Sequence, residues 1–168
     1  MQDEDIQRWK RETWHIMLNL DTPNIVPPAV QWAVLDEDPV PAFRARIKEM
    51  RTHYRKRLEQ AEGEVKKELV RSSQMTATWD LGFKEVTGDQ LYLLTSTSGV
   101  SHSFSSNEPD GKKWIVTKIV QIKGKPLCWC IPVEVKTGKG IEVTLSEGNM
   151  FDLEAVFQNM MRESGQEN

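Results

Sequence analysis

Cysteine is scarce in this chain: two of 168 residues, Cys128 and Cys130, only two positions apart. A pair that close makes no long-loop staple, so a disulfide scaffold is excluded. Nowhere do about 18 apolar residues run together, so no segment reads as a membrane-spanning helix. The opening residues Met1, Gln2, Asp3, Glu4 and Asp5 are acidic, whereas an export leader needs a basic start and an apolar run. That fits a cytoplasmic chain if this terminus is native, or an exported one whose leader has been removed. No glycine-rich phosphate loop opens a helix. Lys136, Thr137, Gly138, Lys139 and Gly140 lie between two strand-like segments and read as a turn. Internal repeats and low-complexity tracts are also lacking.

What remains is the composition of one globular domain, 38% hydrophobic and 28% charged. At this length folding removes roughly 68 to 70% of the unfolded surface from water, enough for a core without staples. The net charge of −3 hides an alternation. Residues 1–38 carry eight acids against three bases, and residues 41–71 carry ten bases against five acids. Residues 72–111 are acidic again, 112–140 basic, and 141–168 acidic. Segments of opposite sign in one compact chain neutralise each other on its surface.

The N-terminal segment 1–38 reads as helical. Ile6, Trp9, Thr13, Ile16, Met17 and Leu20 fall three and four apart behind the acidic first turn, which the helix dipole favours, predicting a helix over 3–19. Pro27 and Pro28 suit the first turn of a short second helix carrying Val30, Trp32, Val34 and Leu35. The strongest pattern follows. Phe43, Ile47, Met50, Tyr54, Leu58, Ala61, Val65 and Leu69 recur every three or four residues and predict one long helix over 41–72, with Gly63 a point for a bend. A coiled-coil homodimer is the competing explanation of the same stripe.

Beyond Ser73 the period becomes strand-like, and 74–145 reads as an antiparallel meander. Candidate strands are 75–86, 90–97, 100–106, 114–122 and 127–135, with a tight hairpin at Lys123, Gly124, Lys125 and Pro126 and an exposed loop over 105–111. Leu127, Trp129, Ile131, Val133 and Val135 alternate strictly and belong on one sheet face; Ile141, Val143 and Leu145 alternate in turn. A last helix over 149–163, capped by Asn149 and Asp152, would bury Met150, Leu153, Val156, Phe157 and Met160.

The fold class expected is α+β: N-terminal helices, one of them long and amphipathic, packed on an antiparallel sheet of about five strands, then a C-terminal helix. This element order, over 41–145, is similar at fold level to the cystatin-like and NTF2-like group. The likeness implies a curved sheet wrapping a long helix. The group hosts enzymes, binding modules and recruiting domains alike, so the likeness selects no activity.

Several constellations bear on chemistry. Cys128 and Cys130 share one strand face, opposite Trp129, and would offer two soft ligands to a metal; the competing reading is two small buried hydrophobes under a helix. His102 lies among Ser101, Ser103, Ser105 and Ser106, but neighbours on a strand point apart, so Ser101 and Ser103 are poorly placed to serve it. His15 and His53 fall on the expected helices as partly exposed side chains. Asp80 and Glu85 are acid candidates if they face inward, while Glu134, alone among lysines, reads as a cross-strand partner. Arg44, Lys48, Arg51 and Arg55 form a basic row beside the stripe of the long helix, fit for an anionic partner or for internal pairing with Asp36, Glu37 and Asp38. An isoelectric point near 5.7 speaks against nucleic acid.

The function expected is therefore a non-enzymatic binding or interaction domain for a protein or small ligand, with no cofactor. A small enzyme of NTF2-like type would need a sheet cavity entered by an acid or His102. A metal or redox protein would need the paired thiols exposed as ligands.

Overall fold

A computed structural model describes residues 2–21, 30–87, 92–94, 102–122 and 125–163. The fold is α+β. Among the described residues it has helices α1 (Asp3–Glu12), α2 (Val40–Gln60), α3 (Gly63–Thr87) and α4 (Leu153–Glu163). Its strands are β1 (Trp14–Asp21), β2 (Val30–Leu35), β3 (Tyr92–Leu94), β4 (His102–Ser106), β5 (Gly111–Thr117), β6 (Val120–Ile122), β7 (Lys125–Leu127), β8 (Cys130–Val135) and β9 (Gly140–Ser146). No described helix is long and apolar enough to cross a membrane.

The expected single sheet is instead two, plus a small hairpin. One sheet has the order β4-β1-β9, the other β3-β2-β5-β8, and among the described residues β6 pairs with β7 alone. The sheets face each other across a core of Trp14, Ile16, Leu18, Val30, Trp32, Ile115, Trp129 and Leu145. The far side of the second sheet carries a second core, in which Ala33, Leu35, Val116 and Cys128 meet Phe43, Ile47, Tyr54, Met75, Trp79, Phe83, Leu153 and Phe157 from α2, α3 and α4. The layers therefore run sheet, sheet, helices, and among the described residues α2, α3 and α4 all lie on the side away from the outer face of the first sheet.

Four further expectations are corrected. The first helix stops at Glu12, because Thr13 takes an extended conformation and its hydroxyl donates to the Trp9 carbonyl at 2.6 Å. Residues from Trp14 onward form β1, parallel to β9 and antiparallel to β4. The residues given to a second helix form β2, which is buried on both faces: Val30 and Trp32 toward one core, Ala33 and Leu35 toward the other. Such a strand shows no alternation to distinguish it from a buried helix. Pro27 and Pro28 lie outside the described residues.

The long helix is two helices. Ala61 is extended and Gly63 adopts φ of +82°, a region that glycine enters without a Cβ penalty. The stripe accordingly leaves the core at the far end of the hairpin, where Val65 and Leu69 are 77% and 64% exposed. The segment 75–86, expected as a strand, is the second half of α3, where Met75, Trp79 and Phe83 recur every fourth residue against α2. The helices approach closely at Gly82, where a Cβ would stand at an ordinary 3.6 Å from the Phe43 Cα. The apolar side of α2 is thus covered by its own chain.

Other expectations hold in part. Leu127, Trp129, Ile131, Val133 and Val135 all join the inter-sheet core, although the strand breaks at Cys128 and Trp129, and Cys128 faces the helices. β6 and β7 pair antiparallel with Ile122 opposite Lys125, so Lys125 and Pro126, expected in the turn, belong to a strand; Lys123 and Gly124 lie outside the described residues. Asp152, not Asn149, caps α4, its carboxylate accepting the Ala155 N–H at 3.0 Å. Asn149 instead closes the short turn after β9, accepting the Ser146 N–H at 2.9 Å. Met150 is consequently exposed.

Candidate functional site

Period-two geometry decides which β1 residues reach the outer face. Trp14, Ile16 and Leu18 are buried between the sheets, so His15, Met17 and Asn19 point the other way. The register then fixes their neighbours. His15 stands opposite Ser105 of β4 and Gly140 of β9, and Met17 stands opposite Ser103 and Glu142. The last turn of α1 comes down beside this face, setting the Trp9 ring edge-on to the His15 ring with centroids 4.9 Å apart. The result is a hollow of about 520 Å³ lined by Trp9, Lys10, His15, Met17, Ser103, Ser105, Gly138, Gly140, Ile141 and Glu142. Trp9 and Met17 remain 48% and 43% exposed in it.

A directed chain of hydrogen bonds runs through the hollow. The Thr13 hydroxyl gives its proton to the Trp9 carbonyl, which can only accept. Thr13 Oγ1 must therefore accept from His15, whose Nε2 lies 3.2 Å away. A neutral imidazole carrying its proton on Nε2 presents a lone pair on Nδ1, and Ser105 Oγ is 2.8 Å from that atom. In that tautomer the Ser105 hydroxyl donates to His15. Asn19 Nδ2 donates to Glu142 Oε1 at 2.7 Å and holds that carboxylate against the sheet. Gly140 leaves the floor open, because beyond a Cβ any side chain there would fill the hollow.

A second cavity, about 750 Å³, lies between the end of β2 and the start of α2, lined by Asp36, Glu37, Asp38, Glu85 and Glu108 among others. Most of these acids have structural partners. Lys113, buried beside Trp14, is paired with Asp36 and lies 3.9 Å from Glu108. Arg46 holds Glu85, and Asp38 accepts the Val40 N–H at 3.0 Å. Among the described residues no group of three or more His, Cys, Asp or Glu side chains is placed to hold a metal ion.

The residues singled out in the sequence are not gathered at the hollow. Arg44, Lys48, Arg51 and Arg55 lie along α2, in the layer remote from the outer sheet face; Arg44 and Lys48 are exposed, Arg51 and Arg55 half-buried. Asp36, expected as an internal partner for that row, is paired with Lys113. Cys128 and Cys130 point into the helix-side core. Burial pushes both thiols up, that of Cys130 to about 12, with Cys130 and Asp80 adding to the effect at Cys128 and Asp38 at Cys130. A thiol so resistant to ionisation is a poor source of thiolate for a metal. Asp80 is also raised by burial, against the pull of Lys118. Glu134 stands opposite Lys112 across the β5–β8 pair, in the cross-strand position expected of it. His53 is exposed on α2, and His102 pairs with Leu18 in the β4–β1 ladder, its side chain lying outside the described residues.

His15 and Ser105 were not legible as partners because residues 13–20 also fit a helical period. The signal was nevertheless present: Trp14, Ile16, Leu18 and Leu20 alternate with His15, Met17 and Asn19. Comparisons with family models, with curated proteins and with solved structures each found no match.

Proposed function

We propose that this chain is a binding module whose ligand, a small molecule with an apolar group, sits on the outer face of the β4-β1-β9 sheet. The observation that carries the reading is the half-exposed Trp9 and Met17 in one hollow with His15, Ser105 and Lys10. Its volume of about 520 Å³ falls in the range of small-ligand sites, which combine apolar walls with a few fixed polar groups. The apolar part of the ligand lies on Trp9 and Met17, and an acceptor or carboxylate meets Lys10.

The test is a titration of the full chain with phenylbutyrate, followed by amide correlation spectra. A probe of that size binds at roughly millimolar strength at drug-like efficiencies per atom, which such spectra resolve. The shifts are expected at Trp9, Met17, Ser105 and Glu142, and Gly140→Val, whose Cβ meets His15 Cβ at an ordinary 3.8 Å, is expected to abolish them without unfolding the chain. Shifts confined to the helical layer, or unchanged in Gly140→Val, would refute the reading.

A further inference from the structure

We infer that Ser105 is a base-activated nucleophile that takes an acyl group from small carboxylic esters, with His15 as its general base. The inference rests on the reading of this hollow as the ligand site and adds a reaction to it. A serine hydroxyl is a weak nucleophile unless a neighbouring base takes its proton in the transition state, and that base must itself be held in the right tautomer by a third group. All three parts are present on three different segments of the chain. Ser105 comes from β4, its base His15 from β1 at 2.8 Å, and the orienting Thr13 from the α1–β1 junction at 3.2 Å. Thr13 is a positioning residue, because its own proton is committed to the Trp9 carbonyl.

The direction of these bonds is what distinguishes the arrangement from a chance polar pair. Had Thr13 donated to His15, the ring would carry its proton on Nδ1 and Ser105 would be an acceptor, unable to pass its proton on. With the Thr13 proton on the Trp9 carbonyl and a neutral ring, the chain runs Ser105 to His15 to Thr13 to that carbonyl, the order that general-base activation of Ser105 needs.

In the reaction Ser105 Oγ attacks the ester carbonyl carbon as its proton passes to His15 Nδ1. The carbon–oxygen bond to the leaving alcohol breaks, and that alcohol takes the proton from Nδ1. Water, deprotonated by the same nitrogen, then attacks the acyl carbon; the Ser105–acyl bond breaks, the acid departs and Ser105 recovers its proton. Lys10, the one lysine or arginine among the described residues that line the hollow, is the cation available to the oxyanion. Trp9 and Met17 take the apolar part of the ester.

The full chain is treated with diisopropyl fluorophosphate, which phosphorylates activated serines with loss of fluoride, and intact mass and peptide mapping follow the adduct. One adduct at Ser105 is expected, absent in Ser105→Ala and formed about 100-fold more slowly in His15→Gln, the lower end of what general-base assistance supplies. Circular dichroism of each variant confirms that it folds. Should His15→Gln not fold, the imidazole nitrogen spectrum of the unsubstituted chain decides: a proton on Nε2 supports the inference, and one on Nδ1 overturns it. Thr13→Val is expected to mix the tautomers and slow labelling, and Thr13→Ser to restore both, which a purely structural threonine would not do. No adduct, or adducts spread over other serines, overturns the inference. If phenylbutyrate still shifts the hollow while Ser105 stays unlabelled, the nucleophile fails and the binding reading stands; if neither occurs, both fail.

Discussion

Replacing Thr117 by valine keeps the shape of a fully buried side chain and removes one oxygen. That oxygen accepts the Trp129 N–H at 3.0 Å, while the Thr117 N–H donates to the Trp129 carbonyl at 3.0 Å and its carbonyl accepts Trp79 Nε1 at 3.0 Å. Thr117 therefore ties the end of β5 to the break before β8 and to α3. Trp129 is wholly buried between the sheets, so in the variant its N–H has neither partner nor water. An orphaned buried donor costs about 1 to 3 kcal/mol. Thr87→Val is the control: it is also buried, but among the described residues its hydroxyl donates to the Phe83 carbonyl one turn back in the same helix, a bond of little net worth. Urea unfolding of both variants reads the difference. With a slope of about 2 kcal/mol/M, Thr117→Val is expected to move the midpoint down by roughly 0.5 to 1.5 M and Thr87→Val by less than about 0.3 M. Equal shifts would refute the assignment of Thr117 as the hydrogen-bonding node of the inter-layer packing.

Asp80→Asn is expected to raise the melting temperature at pH 7. Burial raises the folded carboxyl above its ordinary 3.8, so its stabilising contribution is present below that pH and is lost as pH rises through the folded value. The gain should therefore vanish near pH 3, and a gain of equal size at both pH values would contradict the cause. Gly63→Ala should cost about 1 kcal/mol in chemical unfolding, because the α2–α3 junction needs φ of +82°; no cost would mean the junction is not held there. Asp110, whose carboxylate accepts from the Thr137 hydroxyl and N–H, is held below its ordinary 3.8. Its contribution is present above that value and lost as pH falls through the folded one, so Asp110→Asn should flatten the acid side of the stability profile; an unchanged profile would count against that contact.

Local rules read well wherever one pattern had no rival. The alternation over 127–135 placed five residues in the inter-sheet core and turned Cys128 to the other side, and the glycines and prolines marked most breaks. The errors came where two periods fit or none did. Residues 13–20 satisfy both a helical and a strand spacing, and the choice is made by pairing with β9, more than a hundred residues away. Residues 30–35 are covered on both faces and so lack alternation. In α3 the fourfold spacing of Met75, Trp79 and Phe83 was masked by Thr76, Thr78 and Val86, residues that favour strands on propensity alone. The hollow was hidden for the same reason, since it exists only once β1 lies between β4 and β9.

The decisive measurement is a set of backbone nuclear Overhauser effects across β1. Cross-strand contacts of Ile16 with both Phe104 and Ile141 are expected, since these are its partners in the two ladders and they alone bring His15 to Ser105. Helical contacts between residues three apart through 13–19, with none to 104 or 141, would show that this segment is not a strand and that the site does not exist.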